Sequence, residues 1–356
     1  MSVSQTLQNN LLSPLVLAFV LGIVAKLLRS DLTLPKDLYA SLSVYLLFAL
    51  GLKGGVELAH ARPSEIFLPA LVTLLLGIIT PLSAFVVLRR WGGFSNADSA
   101  GIAAHYGSVS AVTFIAAQQF CAAVQAPVEG YLPTLLTLLE SPGIAVALAV
   151  GALQTARAAR PSTVVVTAGG GGTAAIGGGP TLAEEISEEL AVGGKKAWEV
   201  VREVLTGRTM VLLVGGMLVG FLVGDRGYEP VKPFFETGFK GALTLFLLEM
   251  GLIAGARLGD LKKVGLFLLG FGIIMPVIHG TLGVAAAHWA GLSVGGATVL
   301  GTMAASASYI AAPPAVRLAL PAANPTYSLT AALAITFPFN LVAGIPLYHA
   351  VSTMLA

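Results

Sequence analysis

Leu46-Leu47-Phe48-Ala49-Leu50-Gly51-Leu52 and Phe246-Leu247-Leu248-Glu249-Met250-Gly251-Leu252 are two versions of one string, set 200 residues apart. Further pairs follow in the same order. Pro81 lies over Pro276 and Ile115-Ala116-Ala117 over Ile310-Ala311-Ala312, both at an offset of 195, and Pro142 lies over Pro338 at 196. Chance gives any one such pair in a chain so rich in Ala and Leu. Their shared order and nearly constant spacing point to an internal repeat.

The surroundings say what kind of repeat this is. Of 356 residues, 56% are apolar and 11% charged, where a soluble domain carries about a quarter charged residues. A helix crossing the hydrocarbon needs about 20 apolar residues. Such stretches fall at 11–28, 38–58, 66–88, 101–124 and 128–154, then at 210–224, 235–256, 264–292, 295–318 and 328–355. The predicted fold is an all-α polytopic membrane protein of ten transmembrane helices. Its parts are a first five-helix repeat (1–154), a linker (155–206) and a second five-helix repeat (207–356). Five is odd, so the second copy enters from the opposite face. The result is a 5+5 inverted repeat, an architecture of transporters that alternate access around a midplane site. Pro and Gly inside the spans are tolerable because neighbouring helices and polar side chains satisfy the freed backbone groups.

The linker carries glycine clusters at 169–172 and 177–179 without periodicity. It then offers a capping box, Thr181 with Glu184, opening an amphipathic helix whose stripe includes Leu182, Ile186, Leu190, Trp198 and Val201. Such a helix lies at the membrane interface or docks a regulatory partner. Fifteen of the 20 Lys and Arg fall in the loops after spans one, three, five, seven and nine, and five on the opposite side: Lys53, Arg62, Arg226, Lys232 and Lys240. The positive-inside rule puts both termini outside and the linker in the cytoplasm; the expected location is the inner membrane, as a multi-pass chain. The segment 11–28 lacks a basic n-region and a cleavage site and reads as a first span, not a leader. A net charge of +2, with no groove-sized basic run, argues against nucleic acid. The single cysteine, Cys121, excludes an internal disulfide or a multi-cysteine metal cage.

Spans four and nine are the densest in small polar residues: Gly107, Ser108, Ser110 and Thr113 in one, Thr302, Ser306 and Ser308 before Pro313 and Pro314 in the other. Interrupted at midplane, they would turn half-helix N-termini and serine hydroxyls toward an anion. The same residues also serve close helix packing. An ionisable residue at membrane depth is costly, and Glu140 is the clearest case. Pro142 beside it frees backbone acceptors, Thr113 lies in span four, and the repeat mate Thr336 with Asn340 adds oxygens. Together they form a candidate site for Na⁺ or a proton, with a structural hydrogen bond as the other role for Glu140. Glu249 fits either a span interior or a subunit interface. His105 and His279 read as packing histidines, since neither has metal-ligand spacing around it. Catalysis is not expected. His105 and Ser108 project outward from one helix rather than toward each other, no span centres on an aspartate, and no phosphate-binding loop for an ATP-driven pump is present. No catalytic residue, no cofactor and no metal beyond Na⁺ is assigned.

The strings LFLLEMGLIAGARLGDLKK (245–263), PVIHGTLGVAAAHWAGLSVGG (276–296) and AASASYIAAPPAVRLALPAAN (304–324), with GLKGG (51–55) and GSVSAVT (107–113) in the first half, resemble the sodium-dependent bicarbonate transporter family, of the cyanobacterial high-affinity symporter type. The resemblance implies crossed, interrupted fourth and ninth helices and a core that moves against a scaffold. It also implies a homotrimer, cytoplasmic control by a PII-like protein, and Na⁺-coupled bicarbonate uptake. One departure stands out. Family members carry an acidic residue in a pattern like SSSDI, whereas this chain reads Ser306-Ala307-Ser308-Tyr309-Ile310. The ninth span thereby loses a carboxylate, and with it the expectation of an identical Na⁺ stoichiometry; Tyr309 can donate to an anion instead.

The sequence therefore predicts Na⁺-coupled uptake of bicarbonate or a similar small anion by an elevator-like exchange of access. Gly107, Ser108, Ser110, Thr302, Ser306, Ser308 and Tyr309 are assigned to the anion, and Thr113, Glu140, Thr336 and Asn340 to the cation. Transport of another small organic anion with Na⁺ or H⁺ is the runner-up. A membrane sensor that binds without moving its ligand is the third reading.

Overall fold

The computed structural model describes residues 10–159, 202 and 205–356. The helix expected from Thr181, and nearly all of the linker, lie outside the described residues. Among the described residues the chain is helical throughout, without strands. The first half holds α1 (Pro14–Leu27), α2 (Lys36–His60), α3 (Pro63–Arg90), α4 (Asn96–Gly107), α5 (Ala111–Ala123) and α6 (Leu132–Ala159). The second holds α7 (Arg208–Tyr228), α8 (Gly238–Arg257), α9 (Leu261–Trp289), α10 (Val294–Ala304), α11 (Ala312–Ala319) and α12, the continuous helical run Pro325–Leu355. Span five was expected to end at 154, but α6 carries the helix five residues into the expected linker.

Seven segments are long and apolar enough to cross a membrane, and α1 and α10 are shorter apolar helices. Leu266 and Leu222 are 87% and 80% exposed. Such side chains are costly in water and at home against lipid.

Local chemistry sets the helix ends. Ser13, Ser95, Ser110, Ser293 and Asn324 each accept an amide of the first turn that would otherwise lack a partner. Two of these starts are also held by the other half of the chain. The Ser293 amide donates to Glu129 Oε1 at 2.6 Å, and the Asn324 amide donates to Asp98 Oδ1 at 2.8 Å. Asp98 and Ser293 stand 195 apart, as do Glu129 and Asn324, so the repeat spacing reappears in the contacts. In α12, π-helical turns at Ala331–Thr336 and Asn340–Gly344 flank Pro338, whose ring cannot join a regular α-helical ladder.

Packing is equally paired. α1 lies along α8 and α2 along α7; α3, α4 and α6 pack on one another, as do α9, α10 and α12. The strings at 46–52 and 246–252 are the contact faces of α2 and α8, and their glycines explain the closeness. A Cβ on Gly251 would sit 2.0 Å from Phe19 O, and one on Gly55 would sit 2.0 Å from Met217 O. Backbones touch here, and dispersion between such surfaces holds helices together where lipid removes the hydrophobic drive.

Gly55→Ala is therefore expected to destabilise the protein in detergent by about 1–3 kcal/mol through overpacking. Gly215→Ala, whose Cβ would meet nothing within 4 Å, should change stability by less than about 0.5 kcal/mol. Thermal unfolding of the two variants side by side checks the α2–α7 contact.

Candidate substrate and ion site

The site is built around two interruptions. α4 ends at Gly107 and α5 begins at Ala111; Ser108 and Ser110 between them are extended, with φ −107° and −94°. No proline is needed for this break. α10 ends at Ala304 and α11 begins at Ala312, so Pro313 and Pro314 mark the restart, where a missing N–H costs little.

The two breaks satisfy each other. The Ser110 amide donates to Ser306 Oγ at 2.9 Å, and the Ser308 amide donates to the His105 carbonyl at 2.7 Å. Ser306 Oγ also donates to the Met303 carbonyl at 2.8 Å. The side chain of Asn340 donates to the Ala305 carbonyl at 2.9 Å and accepts from the Tyr348 hydroxyl at 3.0 Å. Each serine that caps a restart is itself held. Ser110 Oγ takes the Thr113 amide at 3.2 Å, and Ser308 Oγ takes the amides of Ala311 and Ala312 at 3.3 and 3.4 Å.

The two restarts differ. Ser308 and the two prolines close the N-terminus of α11. Among the described residues no hydrogen bond is made by the amides of Ala111 and Val112 at the start of α5, and both residues line a buried cavity. An open helix N-terminus attracts negative charge.

That cavity, of about 20 Å³, has room for a water-sized particle. Its polar walls are Ser43 of α2, Thr209 of α7, Ser110, Ser308, Tyr309 and Glu140, with Leu47, Ile115 and Phe246 among the apolar ones. Glu140 arrives because α6 presses against the first break. A Cβ on Gly143 would lie 1.7 Å from Gly107 O, and Glu140, three residues earlier, is on the same helix face. It is 3% exposed, and its Oε2 has no hydrogen-bond partner. The Ser108 hydroxyl is also buried without a partner, and the Tyr309 hydroxyl lies beside the Ser110 side chain. The Tyr309 ring meets Phe337 edge-on at 5.7 Å. Unpaired polar atoms this deep are costly and mark a place that expects a ligand.

The predicted residues thus separate. Ser110, Ser308, Tyr309 and Glu140 share the cavity, and Ser306 stands directly behind it. Gly107 is a packing contact against Pro81 and Gly143, and Thr302 donates to the Thr298 carbonyl at 2.8 Å within its own helix. Thr113 is buried at the first turn of α5. Thr336 bonds the Gly272 carbonyl at 2.7 Å and the Tyr106 hydroxyl at 2.6 Å, away from the cavity walls. Ser43 and Thr209 escaped the sequence reading. Ser43 is a lone hydroxyl four residues before Leu47 on the face that α2 buries, and that periodicity is the signal that could have found it. His105 and His279 hold packing bonds, to the Gly101 carbonyl and to Ser83 Oγ, both at 2.7 Å.

The family model of the Na⁺-dependent bicarbonate transporter superfamily matches residues 14–353. The chain belongs to that superfamily. No curated protein matches it. Membership in the Na⁺-dependent bicarbonate transporter superfamily makes this a membrane transport protein and supports Na⁺ as its coupling ion. It gives the cavity its chemical frame: a small anion, and a monovalent cation that seeks carboxylate and hydroxyl oxygens.

If Asn340 braces the break, Asn340→Ala should cost about 1–3 kcal/mol through the orphaned Ala305 carbonyl while leaving the apparent Na⁺ affinity of the remaining folded protein unchanged. Denaturation in detergent together with a Na⁺ titration of uptake checks this; a shifted Na⁺ affinity would return Asn340 to the ion.

Proposed function

We propose that the protein is a secondary transporter that carries bicarbonate inward with Na⁺, by elevator-like movement of a core against a scaffold. The observation that carries the reading is the pair of cross-bonded helix breaks beside a cavity that holds an unpaired glutamate. Ten crossings follow if the 57-residue segment Pro233–Trp289, about 85 Å as one helix and too long for a single passage, folds across the membrane twice, and if α1 and α10 cross in company with their neighbours. The reciprocal pairs α1–α8 and α2–α7, and the matched caps at Asp98 and Ser293, support a 5+5 inverted repeat. In this reading α1, α2, α7 and α8 are the scaffold, and α3–α6 with α9–α12 are the core.

The anion takes the free amides of Ala111 and Val112 with the hydroxyls of Ser110, Ser108 and Tyr309. The cation takes Glu140, Ser43 and Thr209. Both termini outside and a cytoplasmic linker follow from the Lys and Arg bias, and an inner-membrane location is part of the same proposal. The homotrimer and PII-like control belong to the same proposal and rest on the family alone.

Uptake of labelled bicarbonate into proteoliposomes should require an inward Na⁺ gradient, and Glu140→Ala should abolish that requirement together with accumulation. Na⁺ dependence unchanged in a normally folded Glu140→Ala protein removes Glu140 from the cation. Ser110→Ala, which loses one hydroxyl at the open helix start, should raise the apparent substrate constant by about tenfold, equivalent to about 1.4 kcal/mol; an unchanged constant returns Ser110 to packing.

A second reading, H⁺ in place of Na⁺ and another small organic anion in place of bicarbonate, is favoured by one observation. Glu140 is the lone carboxylate of the cavity, and Tyr309 stands where the family pattern carries an acid. A proton gradient alone would then drive uptake.

A further inference from the structure

A second, larger cavity of about 430 Å³ lies between the N-terminal ends of α1 and α8, the C-terminal end of α5 and the middle of α12. Its polar walls are Asn10, Ser13, Gln119, Lys240 and Thr244, and among the described residues no Asp or Glu lines it. Among the described residues Lys240 forms no salt bridge, whereas Lys53, Lys232 and Lys263 each meet a carboxylate. The cavity thus holds one uncompensated positive charge. Asn10 closes one side by donating to the carbonyls of Leu341 and Val342 in the π-helical turn of α12, at 3.0 and 3.2 Å. Ser13 caps α1 and leaves the Leu15 amide free at the same wall.

Position ties this cavity to the central one. On α5, Ile115 lines the central cavity while Ala116, Gln119 and Phe120 line the larger one; on α8, Phe246 lines the first while Thr244, Gly241 and Lys240 line the second. The two spaces are consecutive along the same two helices, with the side chains of Ile115 and Phe246 between them. The larger one opens at the end of the molecule where α5 stops, opposite the end where α6 runs out toward the linker.

We propose that this cavity is the outer vestibule of the anion path, that Lys240 is its electrostatic filter, and that Ile115 and Phe246 form the barrier between vestibule and site. The proposal rests on the transport reading above and adds the route, the face and the sign selection. One unit charge at about 5 Å in water changes the local concentration of a monovalent ion about fourfold, upward for an anion and downward for a cation. Lys240 would therefore discriminate between the two signs by about tenfold, and salt would erase the effect.

The test does not require transport, so its outcome is separable from that of the uptake assay. Thr244→Cys is placed in the full-length protein, where the buried Cys121 is the sole native thiol, and intact cells are treated with membrane-impermeant thiosulfonates of either charge. Lys232→Cys, at a half-exposed position before α8, serves as the outer-face control. The expected result is modification of Thr244→Cys from outside, with the anionic reagent favoured over the cationic by about tenfold relative to free thiol, and loss of that preference on adding Lys240→Gln or on raising salt to about 1 M. Lys240→Gln alone should also raise the apparent substrate constant about fourfold at low salt with little change in maximal rate. An unmodified Thr244→Cys beside a modified control, modification only from the cytoplasmic face, or a charge preference that survives Lys240→Gln would each overturn the proposal.

Discussion

In hydrocarbon there is no water to take up a stray N–H or C=O, so irregular backbone survives at membrane depth only where protein supplies every partner. This constraint governs the crossing of α4–α5 with α10–α11. Neither break could stand alone. The Ser110 amide needs the hydroxyl of Ser306, the Ser308 amide needs the carbonyl of His105, and the Ala305 carbonyl needs Asn340. Among the groups left over, the amides at the start of α5 and the carboxylate of Glu140 line one small space, with the buried Ser108 hydroxyl in the same break. Structural satisfaction and ligand capacity are thus two parts of one hydrogen-bond account.

The glycine contacts complement this. α1 with α8 and α2 with α7 meet backbone to backbone, through Gly22, Gly251, Gly55 and Gly220, and such surfaces resist separation. The breaks are bonded to each other equally firmly. Between these two stiff bodies run larger side chains and both cavities, with Leu47, Phe246 and Ile115 along the inner one. A seam of side chains contacting across voids costs less to shift than an interlocked glycine crossing or a bonded pair of breaks. In the proposed elevator reading, relative motion belongs at this seam, where the proposed ion and anion sites lie.

Much of this was legible beforehand, for identifiable reasons. The likeness of 46–52 to 246–252 was legible because touching backbones demand glycine at 51 and 251, and the breaks in both halves fall among small polar residues. Glu140 stood out in the sequence because a carboxylate among apolar residues has few uses, and the structure buries it in the wall of the small cavity. The roles of Thr336 and Asn340 were not legible. Their oxygens suit an ion by type, but the partners that occupy them, Tyr106, Gly272 and Ala305, come from distant parts of the chain. Ser43 and Thr209 were hidden for the converse reason: each is ordinary in its own helix and matters only because α2 and α7 place it opposite α6. The break in span four lacks a proline; its local signals are the small polar residues within 107–113, and contact with Gly143 and Ser306 holds it.

In the proposed transport reading, coupling follows from the size and charge of the central cavity. At about 20 Å³ it cannot hold a hydrated anion and a hydrated cation together, so each must shed water and take protein oxygens or amides instead. A carboxylate there repels an incoming anion across a few ångströms of low dielectric, where unit charges interact by several kcal/mol. A cation beside Glu140 cancels that repulsion and leaves the open N-terminus of α5 as the dominant field. Anion affinity then depends on prior occupancy by the cation, and by reciprocity the anion tightens the cation. Admitting both also requires the space to widen. The walls free to yield are Ser43, Thr209 and Phe246 on the scaffold side, since Ser110 and Ser308 are bonded across the breaks. Under that proposal loading would push on the same seam along which the core would travel, and the energy of ion binding would reach the movement without any separate linkage.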